Sequence, residues 1–100
     1  MREYELYLPT TTNDGRRIDP AVIQRIKDTL AEIFGGYTHL DQRVEGAWRI
    51  GGVTLHDAVT IVRVLDDGTT AFDMAAFKRL LEATLEQQQV LIVARTVDTV

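Results

Sequence analysis

Trp48-Arg49-Ile50-Gly51-Gly52-Val53-Thr54-Leu55 is the stretch whose reading decides the fold. Two short β-prone runs flank a glycine pair, and glycine accepts the positive φ angles that a two-residue hairpin turn demands. A turn that tight fixes the register. Paired residue numbers then sum to 103, so Ile50 faces Val53, Trp48 faces Leu55 and, further out, Val44 faces Val59. One face of this hairpin collects Val44, Trp48, Ile50, Val53, Leu55, Val59 and Ile61. The other collects Arg43, Glu45, Arg49, Thr54, His56 and Thr60. The apolar face is expected to lie beneath helices, with the arginines looking outward. Asp57 is the exception, landing on the apolar face opposite Gly46; a bulge at His56-Asp57 would turn it outward and bring Val62 and Val64 to the core side.

Outward from the hairpin, both flanks read as a helix preceded or followed by a strand. Upstream, residues 3 to 8 are Glu-Tyr-Glu-Leu-Tyr-Leu, with Tyr4, Leu6 and Leu8 on one face at period two. Pro9 ends that strand, and Asn13-Asp14-Gly15 marks a turn. Asp19 is a good N-cap, Pro20 suits the first helical position, and Ile18 can pack on Ile23 as a staple. Val22, Ile23, Ile26, Leu30, Ile33 and Phe34 recur at helical spacing until Gly35-Gly36 stops the helix, which predicts a helix over 20–34. Downstream, Asp66-Asp67-Gly68 is a turn, and Thr70 or Asp73 caps a second helix carrying Phe72, Ala76, Phe77, Leu80, Leu81, Thr84 and Leu85. Residues 90 to 97 are a final strand.

The order is therefore strand, helix, strand, strand, helix, strand. Short connections and right-handed crossovers make this a ferredoxin-like α+β domain over residues 1–100, a four-stranded antiparallel sheet with two helices on one face. The third strand, 59–65, is apolar on both sides, as strands covered on both faces are. A second copy of the chain is the expected cover, through the open sheet face or the edge strands, so a homo-oligomer is expected.

Composition narrows the chemistry. The chain has 100 residues, enough for one core. It has no cysteine, which excludes disulfides, thiol chemistry and cysteine-ligated metals. Eleven basic residues against fifteen acidic ones give a net charge of −4, which argues against nucleic acid as a partner. The apolar runs are too short to span a membrane, and the start carries no signal-peptide core, so a cytoplasmic location is expected.

The Gly35-Gly36-Tyr37-Thr38 step, Gly46-Ala47-Trp48-Arg49, Asp57 opening the third strand and the late Gln89-Val90-Leu91 together resemble a loose group of small uncharacterised bacterial proteins with this element order. The resemblance implies the ferredoxin-like fold and no particular activity.

No metal site or cofactor is expected. His39 and His56 stand far apart along the strand, on the order of 26 Å at 3.3 Å per residue in the predicted register. The chain has no serine and no phosphate-binding glycine loop. Asp57 is the candidate acid–base group, since burial beside Trp48 and Leu55 would raise its pKa, with His56 and Arg49 beside it. Trp48, Tyr37 and Arg43 are candidates for ligand contact. Each also has an ordinary structural reading: Asp57 as a bulge anchor, Trp48 as core, the arginines as a solvated face. Known uses of the fold fit poorly. The third strand lacks the stacking aromatics of RNA-recognition domains, and Thr10 to Gly15 does not match the anion loop of acylphosphatases. The leading expectation is a non-enzymatic binding or assembly module, which would admit a protein partner. The alternative is a small cofactor-free enzyme or small-ligand-binding protein of the dimeric α+β barrel kind.

Overall fold

The computed structural model describes residues 1–43, 48–50, 53–55 and 58–100, and for 42–43, 48–50, 53–55 and 58 the backbone alone. Strand β1 (Arg2–Pro9) is followed by helix α1 (Pro20–Phe34), strands β2 (Thr38–Arg43), β3 (Trp48–Ile50), β4 (Val53–Leu55) and β5 (Ala58–Asp66), helix α2 (Met74–Thr84) and strand β6 (Leu91–Thr96). Four strands form an antiparallel sheet in the order β2-β5-β1-β6, while β3 and β4 pair as a separate ribbon. Counted without that ribbon, the order of elements and strands is that of the ferredoxin-like fold.

The helix limits follow from their caps. The Asp19 carboxylate accepts from the Ala21 N–H at 2.9 Å, and Gly35 closes α1 at φ 84°, its N–H donating to the Ala31 carbonyl. Asp73, not Thr70, caps α2, accepting from the Ala76 N–H at 3.0 Å. Glu82, held by Lys78, accepts from the Val90 N–H at 2.9 Å and so ties α2 to the entry of β6. Along β1 the expected alternation holds: Leu6 and Leu8 are fully buried and Tyr4 packs on the same core. Beneath the helices these residues meet Leu30 of α1 and Phe77 and Leu81 of α2. Ile18 and Ile23, the two ends of the expected staple, join this cluster.

The ribbon has the expected register, with Trp48 opposite Leu55 and Ile50 opposite Val53. The register does not run on into the main sheet. There Thr38 pairs with Arg63 and Gln42 with Val59, so paired numbers sum to 101. Val59 thus faces Gln42 rather than Val44, and His39 faces Val62 rather than Val64. Four residues separate β2 from β3 and only two separate β4 from β5, which accounts for the offset.

The faces of β5 also lie the other way round from the hairpin expectation. Val62 and Val64 lie beneath the helices, and Val59 and Ile61 lie on the opposite side. The cause is the pairing with β1: Leu6 stands opposite Val62, and Tyr4 opposite Val64. Residues directly opposite in an antiparallel ladder share a face, so β1 dictates which side of β5 enters the core. The side of β5 away from the helices is buried toward its start and open toward its end, where Leu65 is 43% exposed. Val59 and Ile61 are buried in a second cluster with Tyr7, Leu40 and Leu91.

Candidate functional site

Two features of the sheet bear on function, and both involve the face away from the helices. The first is a charged lattice. Glu5 on β1 stands opposite Arg63 on β5, and Glu3 opposite Arg95 on β6. Although Glu5 lies on the side of β1 away from the helices, it is only 5% exposed. Its Oε1 accepts from Arg63 Nη2 at 3.0 Å and from Arg95 Nη1 at 3.1 Å, and its Oε2 accepts from the Tyr7 hydroxyl at 2.9 Å. Glu3 Oε1 lies 2.8 Å from Arg63 Nε in an ion pair, although that N–H does not point at the oxygen. Three donors thus converge on the Glu5 carboxylate, which is what burial of a charge requires. Burial alone would raise the pKa of Glu5; Tyr7, Arg63 and Arg95 outweigh it and hold the carboxyl below its ordinary 4.5. Tyr7 moves the other way, above 10.0, through its own burial and its hydrogen bond to the Glu5 anion. With both Glu5 oxygens taken up by donors, this carboxylate is structural rather than poised for proton transfer.

The second feature is a cleft of about 540 Å³ at the end of the sheet where β2 begins. Phe34, Gly35 and Gly36 bring one wall from the end of α1, and Tyr37 and Thr38 continue it into β2. Glu3 and Arg63 form its charged floor beside Leu65. The chain after β6 supplies the far wall, residues 97–99, anchored where the Val97 N–H donates to the Met1 carbonyl at 3.0 Å. The glycine step matters here. Gly35 turns at positive φ, and a Cβ at Gly35 or Gly36 would meet nothing within 4 Å, so these residues border open space. Phe34 is fixed from behind by an edge-on contact with Phe72 at 5.4 Å. Tyr37 is 38% exposed, with the Lys27 ammonium 5.8 Å from its ring centroid. That lysine is itself engaged by His39 Nδ1 at 3.2 Å, while His39 Nε2 meets Asp41 at 3.0 Å.

Of the residues singled out from the sequence, Tyr37 is thereby placed in a cleft. Arg43 lies on β2, and Trp48 and Arg49 on β3, where the backbone alone is described; His56 and Asp57 lie outside the described residues. Glu3, Arg63 and Asp98 were not singled out, because only the β1–β5 register and the path of the chain after β6 bring them to one place. Among the described residues, no group of three or more histidines and carboxylates is arranged to hold a metal ion, and no helix is long and apolar enough to cross a membrane.

No family model matches the chain, and no curated protein does. Among solved structures, a phage SAM lyase in complex with S-methyl-5'-thioadenosine matches with a TM-score of 0.66, covering 94% of this chain and 79% of that chain at 10% identity. At that identity the likeness shows the fold alone.

Proposed function

We propose that the protein is a small-ligand-binding domain whose site is the end cleft between α1, β5 and residues 97–99. The observation that carries this reading is the lining: aromatic and aliphatic walls from Phe34, Tyr37 and Leu65 enclose a few charged groups in a volume typical of small-molecule sites. The fold neighbour was solved with S-methyl-5'-thioadenosine, so a nucleoside thioether is the first ligand to try. Tyr37 then supplies a stacking surface at the mouth, and Gly35-Gly36 lets a ring approach the backbone closely. Isothermal titration with S-methyl-5'-thioadenosine is expected to give saturable heat, and Tyr37→Ala to weaken the affinity about tenfold, the loss of one aromatic contact near 1.4 kcal/mol. Saturable binding that Tyr37→Ala leaves unchanged would contradict this site.

The reading retains a cytoplasmic setting, on the cysteine-free, acidic composition, and an assembly role for the sheet. Strand β6 is an edge strand of the four-stranded sheet, and its Leu-Ile-Val-Ala-Arg-Thr carries one charge and neither proline nor glycine. Such an edge is a template for pairing with a second copy. Light scattering during gel filtration is expected to report a dimer or larger; a monomer at every concentration would contradict it.

A further inference from the structure

We infer that the end cleft selects ligands by charge: it admits an uncharged or cationic ring compound and rejects one that carries phosphate. The inference rests on the cleft being a ligand site and adds the chemistry of what enters it. Three charged side chains line the cleft, the acids Glu3 and Asp98 and the base Arg63. Arg63 is not available to an anion. Its guanidinium already meets Glu3 at 2.8 Å and Glu5 at 3.0 Å, and Arg95 on the neighbouring strand is held by Glu5 at 3.1 Å and Glu3 at 3.7 Å. Lys27, near the rim, is occupied by the Tyr37 ring and by His39. An anion entering the cleft would have to take one of these cations away from its partner and leave a carboxylate behind without it, which is unfavourable for the half-buried Arg63 and more so for the buried Glu5.

The backbone adds to this bias. Helix α1 reaches the cleft with its C-terminal end, at Phe34 and Gly35, which is the negative end of the helix dipole. Anion sites on proteins use the opposite end. Phe34 and Tyr37 also line the cleft, and aromatic rings favour cations over anions at their faces. The exposed carboxylate of Asp98 stands at the wall made by residues 97–99, where it can meet a positive group on the ligand.

Three probes that share one base and differ only at the 5′ position separate charge from shape: 5′-amino-5′-deoxyadenosine, adenosine and adenosine 5′-monophosphate. Titrated into the intact protein, they are expected to bind in that order of decreasing affinity, with about fivefold or more between adenosine and the monophosphate, the effect of one unit-charge contact in a solvated site. Added salt is expected to narrow the gap, and Asp98→Lys, a change at an exposed position, to narrow or invert it. Equal or tighter binding of the monophosphate by the natural sequence would overturn the charge selection and leave the ligand site standing. Absence of binding by all three probes, at concentrations where S-methyl-5'-thioadenosine binds, would overturn the ring class inferred here. Failure of every nucleoside, the thioether included, would remove the site itself.

Discussion

Leu6→Ala is expected to lower the stability of the protein by about 3 kcal/mol, from the lost transfer of three carbons and the cavity they leave. Leu6 is fully buried on β1, between Val62 and Ile92 on the flanking strands and beneath both helices. Nothing at that position can collapse inward, since the sheet fixes the backbone on one side and Leu30, Phe77 and Leu81 pack from the other. A domain of this length has a total stability of about 5–15 kcal/mol, so the loss is a large fraction of it. A urea melt checks the effect through the midpoint at constant slope. The helix-facing side of β1 predicts this result, whereas a change below about 1 kcal/mol would mean that the position is open to solvent or collapses freely.

Glu5→Ala carries the second large effect and tests the other side of the sheet. Removing the carboxylate leaves Arg63, Arg95 and the Tyr7 hydroxyl facing one another without their shared acceptor. Breaking a fully buried pair costs about 3–5 kcal/mol. Arg63 and Arg95 are 38% and 47% exposed at their side chains, so water screens them, and about 2 kcal/mol is the expected loss. The pH dependence gives the sign independently. The folded-state pKa of Glu5 is depressed below 4.5, so its contribution is fully present above that value and disappears as the pH falls through the lower folded value. Tyr7 is raised above 10.0, so its contribution is present below pH 10.0 and is lost as the pH rises through the folded value. Glu5→Ala should therefore flatten the acid limb of the stability curve while the natural sequence retains it. An unchanged acid limb would assign that limb to other carboxylates.

The sequence carries the helices plainly, because their signals are local. Asp19-Pro20 and Gly35 bound α1 at both ends, and Asp73 stands where α2 begins. The alternation along β1 was equally plain, since a strand polar on one side leaves no choice of face. Strand β5 offered no such asymmetry. Val59, Ile61, Val62 and Val64 are apolar on both sides, so hairpin parity alone could not say which pair meets the helices; the β1 ladder, a long-range contact, decides it. The same physics limits the reading of the cleft. Tyr37 stood out beside its two glycines, but Glu3, Arg63 and residues 97–99 are distant in sequence and meet only when three strands are in register. Glu5 was legible as a polar residue on a strand. Its burial was not, because the cover consists of two arginines from other strands rather than of apolar residues.

The most direct test of the central claim is an amide chemical-shift map of the protein during addition of S-methyl-5'-thioadenosine. Binding at the end cleft predicts saturable shifts concentrated at Gly35, Gly36, Tyr37, Thr38 and Leu65 and at residues 97–99, with the groove of Val22, Ile26 and Leu80 between the helices unmoved. Shifts centred on that helix groove, or none at all at ligand saturation of the solution, would contradict it.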